Sequence, residues 1–261
     1  MGVQKDPSGQ RSVQAEVEVP GTPEEVWRAI ATGTGMSSWF VPSTSEERVE
    51  GAVTNNFGPG MESMATIKKW NPPHSFVAES DQGPPGKVAT EWIVEARNGG
   101  TCVVRVVHRW FSSTDDWDDQ FIGHTYGWQA FFRILSLYLK HFQGETCTAF
   151  ALSAFSKMPV QETWRLLMNS LGVQTDNTRV SPVPGAPVLS GVVESRGVPA
   201  FPELLLLVDQ PAPGLAHLFP MAMGGQVLVS ARFYLFGEQG ISAAPSAEVD
   251  WKKWLAQHFP Q

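Results

Sequence analysis

Along residues 12 to 19, SVQAEVEV, apolar and polar side chains alternate, which predicts a strand with one buried face. The pattern then changes period. Thr22 is a good N-cap, Pro23 suits a first helical position, and Glu24 and Glu25 favour the positive end of a helix dipole. Val26, Trp27, Ala29 and Ile30 supply a short apolar stripe. TGTG at 32–35 is expected to end this helix, with MSSWFVP as a second short helical turn. From residue 46 to 111, short alternating runs are split by Gly, Pro and Asn, the mark of an antiparallel meander, and RNGG at 97–100 is its clearest hairpin turn. SSTDDWDDQ then reads as a loop in which Asp118 or Asp119 caps a helix. In that helix Phe121, Thr125, Trp128, Phe132, Leu135, Leu139 and Phe142 recur at helical spacing, and Gly144 closes it.

Beyond Gly144 the same order of elements recurs. Residues 146–155 alternate like the first strand, and PVQETWRLLMNSLG is a short helix ended by glycine. VLSGVVES, PELLLLVDQ and GGQVLVSARFYLF are strands, and Ser246 is the expected cap of a final helix carrying Trp251, Trp254 and Leu255. Local echoes are collinear. Trp27-Arg28 returns as Trp164-Arg165, DQGPPG as DQPAPG, the glycine pair Gly99-Gly100 as Gly224-Gly225, and His141-Phe142 as His258-Phe259. Ordered echoes of this kind predict tandem repetition, with boundaries at 11–144 and 145–261. The second copy is the shorter, and nothing in it matches MSSWF. Its LLLLVDQ strand is apolar at successive positions, so it is expected to be covered on both faces, by tight interdomain contact or in a homodimer.

Composition narrows the function classes. The 261 residues carry a formal net charge of −7, and no Lys/Arg cluster exceeds a pair, which argues against a nucleic-acid or anionic-membrane partner. No apolar run is long enough to span a bilayer, and the first residues lack the apolar stretch of a secretory signal, so the expected location is cytoplasmic. There is no metal-ligand spacing, no dinucleotide or phosphate loop and no nucleophile-elbow motif; no metal or cofactor is expected. Cys102, within an apolar strand, reads as a small buried hydrophobe. Ten Trp and 15 Phe against 3 Tyr predict thick aromatic walls with little hydrogen-bonding demand.

VPGTPEEVWRAIATGTGMSSWFVPS resembles the opening of the START-like, or SRPBCC, superfamily, and within it the branch named for activators of the ninety-kilodalton heat-shock chaperone's ATPase. YGWQAFFRILSLYLK is similar to that branch's terminal helix, and GGTCVVRVVHRWF to its last strand. The resemblance spans roughly residues 11–143. It implies an α+β helix-grip fold, a curved antiparallel sheet wrapped around a long C-terminal helix with a pocket between them, here in tandem. It leaves function open among carriers, polyketide cyclases, resistance proteins and co-chaperones.

On such a fold the expected pocket wall is Trp39, Phe40, Trp92 and Trp110 from the helix pair and sheet, with Phe121, Trp128, Phe132 and Leu135 from the long helix. Any one of these taken alone reads more readily as plain core, and it is their collective excess that suits a cavity for a flat apolar ligand. The polar candidates are His108, in phase with Cys102, Val104 and Val106, and His124, one turn before Trp128. Either could be a general acid/base or a ligand donor, and a hydrogen-bonded structural histidine is the alternative. Arg105 falls off the His108 face, and Glu91 would face inward only if the strand phase slips by one residue. DDWDD at 115–119 reads as solvated acids. Three functions are compatible with these residues: binding of a small apolar or aromatic molecule; cofactor-independent cyclase, dehydratase or hydrolase chemistry on a pocket His; and chaperone activation.

Overall fold

The computed structural model describes residues 3–58, 61–81, 86–111 and 118–260, without the side chains of 118–126. The chain divides into two compact units, Met1–Gln143 and Gly144–Gln261.

In the first unit, β1 (Gln4–Lys5) and β2 (Gln10–Pro20) precede α1 (Pro23–Ala31) and α2 (Gly33–Ser37). Thr22 forms a reciprocal cap on α1: its side chain accepts from the Glu25 backbone N–H, and the Glu25 carboxylate accepts from the Thr22 N–H at 2.8 Å. These bonds hold the Glu25 carboxyl below the usual carboxylate range. TGTG does more than end α1. Thr32 Oγ1 accepts from the Gly35 N–H at 3.0 Å, so α2 starts at Gly33 inside the glycine run, earlier than the sequence suggests.

The meander comes next: β3 (Ser43–Ser45), β4 (Ala52–Asn56), β5 (Glu62–Asn71), β6 (Ser75–Ser80), β7 (Val88–Arg97) and β8 (Thr101–Phe111). Residues 46–51 form a turn rather than strand, with Glu50 at φ 61°. The sheet order is β1-β2-β8-β7-β6-β5-β4-β3, antiparallel between neighbours, and α3 (Asp118–His141) lies against β2. Val19, Val53, Ile67, Phe76, Val94 and Val104 fill the inward face at 4% exposure or less. The outward face carries ion pairs instead: Arg105 with Glu16 and Glu95, and Arg109 with Glu91. Glu16 holds the Arg105 guanidinium above its ordinary value. These pairs are partly exposed, and their main effect is to keep that face solvated. Arg105 therefore lies off the His108 face, and Glu91 faces outward.

The second unit runs β9 (Cys147–Ser156), α4 (Val160–Ser170), β10 (Arg179–Val180), β11 (Ser190–Val198), β12 (Phe201–Gln210), β13 (Gly214–Met223), β14 (Gln226–Phe236) and α5 (Gly237–His258). Its sheet order is β10-β11-β12-β13-β14-β9. In both units the opening long strand pairs with the last strand, and the remaining strands are arranged in descending order. Each is an antiparallel sheet with a long C-terminal helix, the tandem helix-grip arrangement. Gly99 and Gly224 sit at φ +92° and +58° in the corresponding last hairpins, where residues with a side chain are disfavoured.

The second core gathers Leu204, Leu206, Leu218, Phe233 and Trp251 beneath the helices. Leu205, facing the other way, is also only 1% exposed, so β12 is buried on both faces. The last helix differs from expectation. α5 comes directly after β14, runs through Pro245, and contains Ser246, whose Oγ donates to the Ala243 carbonyl at 3.0 Å. The Pro-Ser step imitates a helix start, but the strand end at Phe236 leaves Gly237 (φ +68°) free to turn the chain at once into the helix.

Candidate functional site

The hairpin of β7 and β8 sets the site. Its register places Val88 opposite Trp110, Thr90 opposite His108, and Trp92 opposite Val106, while β2 presents Val13 to His108. Inward-facing positions on β8 are sealed with one exception. Cys102, Val104 and Val106 are 0% exposed and Trp110 is 1%, yet His108 between them is only half-buried. Thr90, its cross-strand neighbour, is half-buried as well. His108 and Thr90 thus form a half-buried polar pair beside sealed apolar positions of β8.

α3 closes on that pair with Trp128, which is 9% exposed. The indole Nε1–H donates to His108 Nε2 at 2.7 Å, and His108 Nδ1 lies 2.9 Å from Thr90 Oγ1. Both contacts satisfy polar atoms that would otherwise be costly in an apolar interior. The Trp128 ring is also the hub of the aromatic cluster. It stacks on Phe40 at 5.1 Å and 15°, meets Trp92 edge-on at 5.1 Å and 89°, and lies 5.9 Å from the His108 ring.

Trp39 and Phe40 come just after α2, and Trp39 makes edge contact with Trp92 at 6.2 Å. Phe132 packs on both Trp92 and Trp128, and Leu135, two turns beyond Trp128, is 0% exposed. Trp39, Phe40, Trp92, Trp128 and Phe132 therefore touch one another and form a packed wall behind the His108 pair. Trp110 stands apart, packed with Val13 and against Val3 and Val88. Phe121, His124 and the DDWDD acids at 115–119 lie outside the described side chains.

Thr90 escaped the sequence reading, although its signal was present: a hairpin turning at Asn98–Gly100 pairs residue 90 with residue 108. Arg11 was missed too. It is 6% exposed on the inward face opposite Trp110, one residue before the expected start of the strand. In the second unit, Glu203 and His217 form a buried pair at 3.0 Å, and Ser195 donates to Glu203 at 2.7 Å. Among the described residues no group of three or more His, Cys, Asp or Glu is placed to hold a metal ion.

Residues 10–132, just under half of the chain, match the family model described as polyketide cyclase / dehydrase and lipid transport, an SRPBCC-type family. No curated protein matches. Among solved structures, the di-domain ARO/CYC BexL from the BE-7585A biosynthetic pathway is similar over 96% of this chain and 99% of its own, at 12% identity and a TM-score of 0.46. DynU16, from the dynemicin biosynthetic locus, is similar over 95% of both chains, at 12% identity and 0.44. The Aha1 dimer from Colwellia psychrerythraea is similar over 51% of this chain and 98% of its own, at 19% identity and 0.43. Likenesses this slight carry no functional conclusion. No described helix is long and apolar enough to cross a membrane.

Proposed function

We propose that the first unit binds a small, flat, apolar or aromatic molecule in the helix grip, in a carrier, sequestration or resistance role. One observation supports this most: among the otherwise sealed inward positions of β8, His108 is half-buried and bonded across to half-buried Thr90, backed by the Phe40, Trp92 and Trp128 rings. Apolar walls with a few aimed polar groups suit a small-molecule site. The second unit then has a structural or oligomeric role, with the doubly buried β12 as its central element. A cytoplasmic location, without nucleic-acid or membrane partners, fits the net charge of −7. Native mass spectrometry of gently purified protein, with naphthalene titration followed by tryptophan fluorescence, tests the proposal. A retained small molecule or saturable quenching is expected; an empty protein with no saturable response would sink it.

The family model supports a second reading, a cofactor-independent cyclase, dehydratase or hydrolase with His108 as acid or base. In that case His108→Ala loses turnover but keeps affinity. In either reading the Nε2 lone pair is engaged by Trp128 at 2.7 Å, so that bond has to be exchanged before a ligand or substrate donor reaches Nε2. Chaperone activation has only the sequence motifs behind it, and failure to stimulate the chaperone's ATPase would remove it.

A further inference from the structure

We infer that Trp128 is a positioning residue that holds His108 as its Nδ1–H tautomer, so that Nε2 is an acceptor and the site selects ligands bringing a hydrogen-bond donor. The ligand part rests on the binding function proposed above; the tautomer part does not.

The assignment rests on what each partner is able to do. An indole Nε1–H only donates, so at 2.7 Å His108 Nε2 must offer its lone pair. The single ring proton of a neutral imidazole is then on Nδ1, 2.9 Å from Thr90 Oγ1, which accepts it. A hydroxyl can donate or accept, so Thr90 tolerates either tautomer and sets only the ring's orientation. Trp128 decides between them. The opposite tautomer, and the imidazolium, would each aim an N–H at the indole N–H. In the ligand-free protein Trp128 is oriented by its stack on Phe40 and its edge contact with Trp92, so the bias is present before a ligand arrives and turns the indole N–H aside.

A ligand entering at this half-buried point takes over the Trp128 bond. A phenolic O–H or an amide N–H replaces one donor by another, and Thr90 is undisturbed. A ligand that only accepts leaves Nε2 without a donor, or requires the imidazole proton to move to Nε2 and the Thr90 hydroxyl to reverse. A site arranged to bond one partner discriminates against an analogue that lacks the matching group.

Two measurements test this. In the ligand-free full chain, nitrogen-15 NMR of His108 at pH 8 is expected to show the Nδ1–H form, and Trp128→Phe, which keeps a ring but removes the donor, is expected to give a mixture. An Nε2–H form in the wild type, or an unchanged Nδ1–H form in Trp128→Phe, overturns the role given to Trp128. In titrations, 2-naphthol is expected to bind about tenfold tighter than 2-methoxynaphthalene, the size of one hydrogen bond, and His108→Phe is expected to bring the ratio near one. Equal affinity for both probes overturns the ligand class. If neither binds, it is the binding function that fails, and the NMR arm still decides the tautomer.

Discussion

The indole N–H of Trp39 donates to the carbonyl of Ala29 at 2.9 Å, and both residues are at most 2% exposed. Ala29 lies in the last turn of α1, where backbone carbonyls have no partner within the helix. Trp39 is thus a side-chain cap for α1, delivered by α2. Phe40, its neighbour in the Trp-Phe pair, is the member that reaches the Trp128 ring. Trp39→Phe keeps the ring but strands a buried acceptor. A stability loss of about 1–3 kcal/mol is expected in denaturant unfolding, with the probe affinity nearly unchanged. A large affinity loss at unchanged stability would instead make Trp39 part of the binding surface.

Gly35 sits where α1 and α2 meet. A Cβ there would lie 2.0 Å from the Arg28 carbonyl oxygen and 2.9 Å from Ala29 Cα, both backbone atoms that cannot swing away. Gly35→Ala is expected to destabilise by about 3 kcal/mol or more, at or above the usual cost of overpacking. Gly127 on α3 is the internal control, because a Cβ there meets nothing within 4 Å. Gly127→Ala is expected to stabilise by about 0.5–1 kcal/mol through helix propensity. Opposite signs in the two variants, read by chemical denaturation, test the packing at the helix pair.

Periodicity carried most of the fold because most elements bury one face, and alternation records that directly. Most of the long strands and the α3 stripe were legible for this reason; β13 (Gly214–Met223) was not, because its first half is buried at successive positions and shows no alternation. Contacts that depend on two distant segments were not. Nothing local in Trp39 points to Ala29, and nothing in His108 identifies Trp128 as its donor. Thr90 lies between the two cases, since hairpin register from the glycine turn would have found it. Pro245-Ser246 misled because local chemistry at a helix start and inside a helix can look alike; the turn at Gly237 decided the outcome.

Cys102 is buried, and its Sγ lies 3.4 Å from the Gly21 carbonyl. Burial pushes its thiol up, and Glu24 and Glu25 push the same way. The folded protein therefore keeps this proton to higher pH than the unfolded chain does. As pH rises past the ordinary thiol value the unfolded chain releases its proton first, so this group's contribution to stability falls from there up to the raised folded value. Aromatic disulfide reagent at pH 8 is expected to label about one thiol natively, the half-buried Cys147, and about two in denaturant. Cys102→Ala is expected to flatten the alkaline decline in stability. Rapid native labelling of Cys102 would contradict this.

Pro245 tests where the last helix begins. If α5 started at Ser246, Pro245 would lie outside it, and replacement by Ala would be neutral or mildly harmful. With α5 continuous from Gly237 to His258, Pro245 is a helix-interior proline that removes one backbone donor and crowds the preceding turn. Alanine restores the donor and is worth about 3 kcal/mol in intrinsic propensity. The greater freedom of the unfolded chain takes back about 0.4–1 kcal/mol. Pro245 is exposed, so its ring has little packing to lose, and a net gain of about 2 kcal/mol is expected in Pro245→Ala, measured by denaturant unfolding. Ser246→Ala is expected to change stability by less than about 0.5 kcal/mol, because its hydroxyl bonds the Ala243 carbonyl within the helix instead of capping an N-terminus. A loss near 1 kcal/mol in Ser246→Ala, with no gain in Pro245→Ala, would restore the helix start at Ser246.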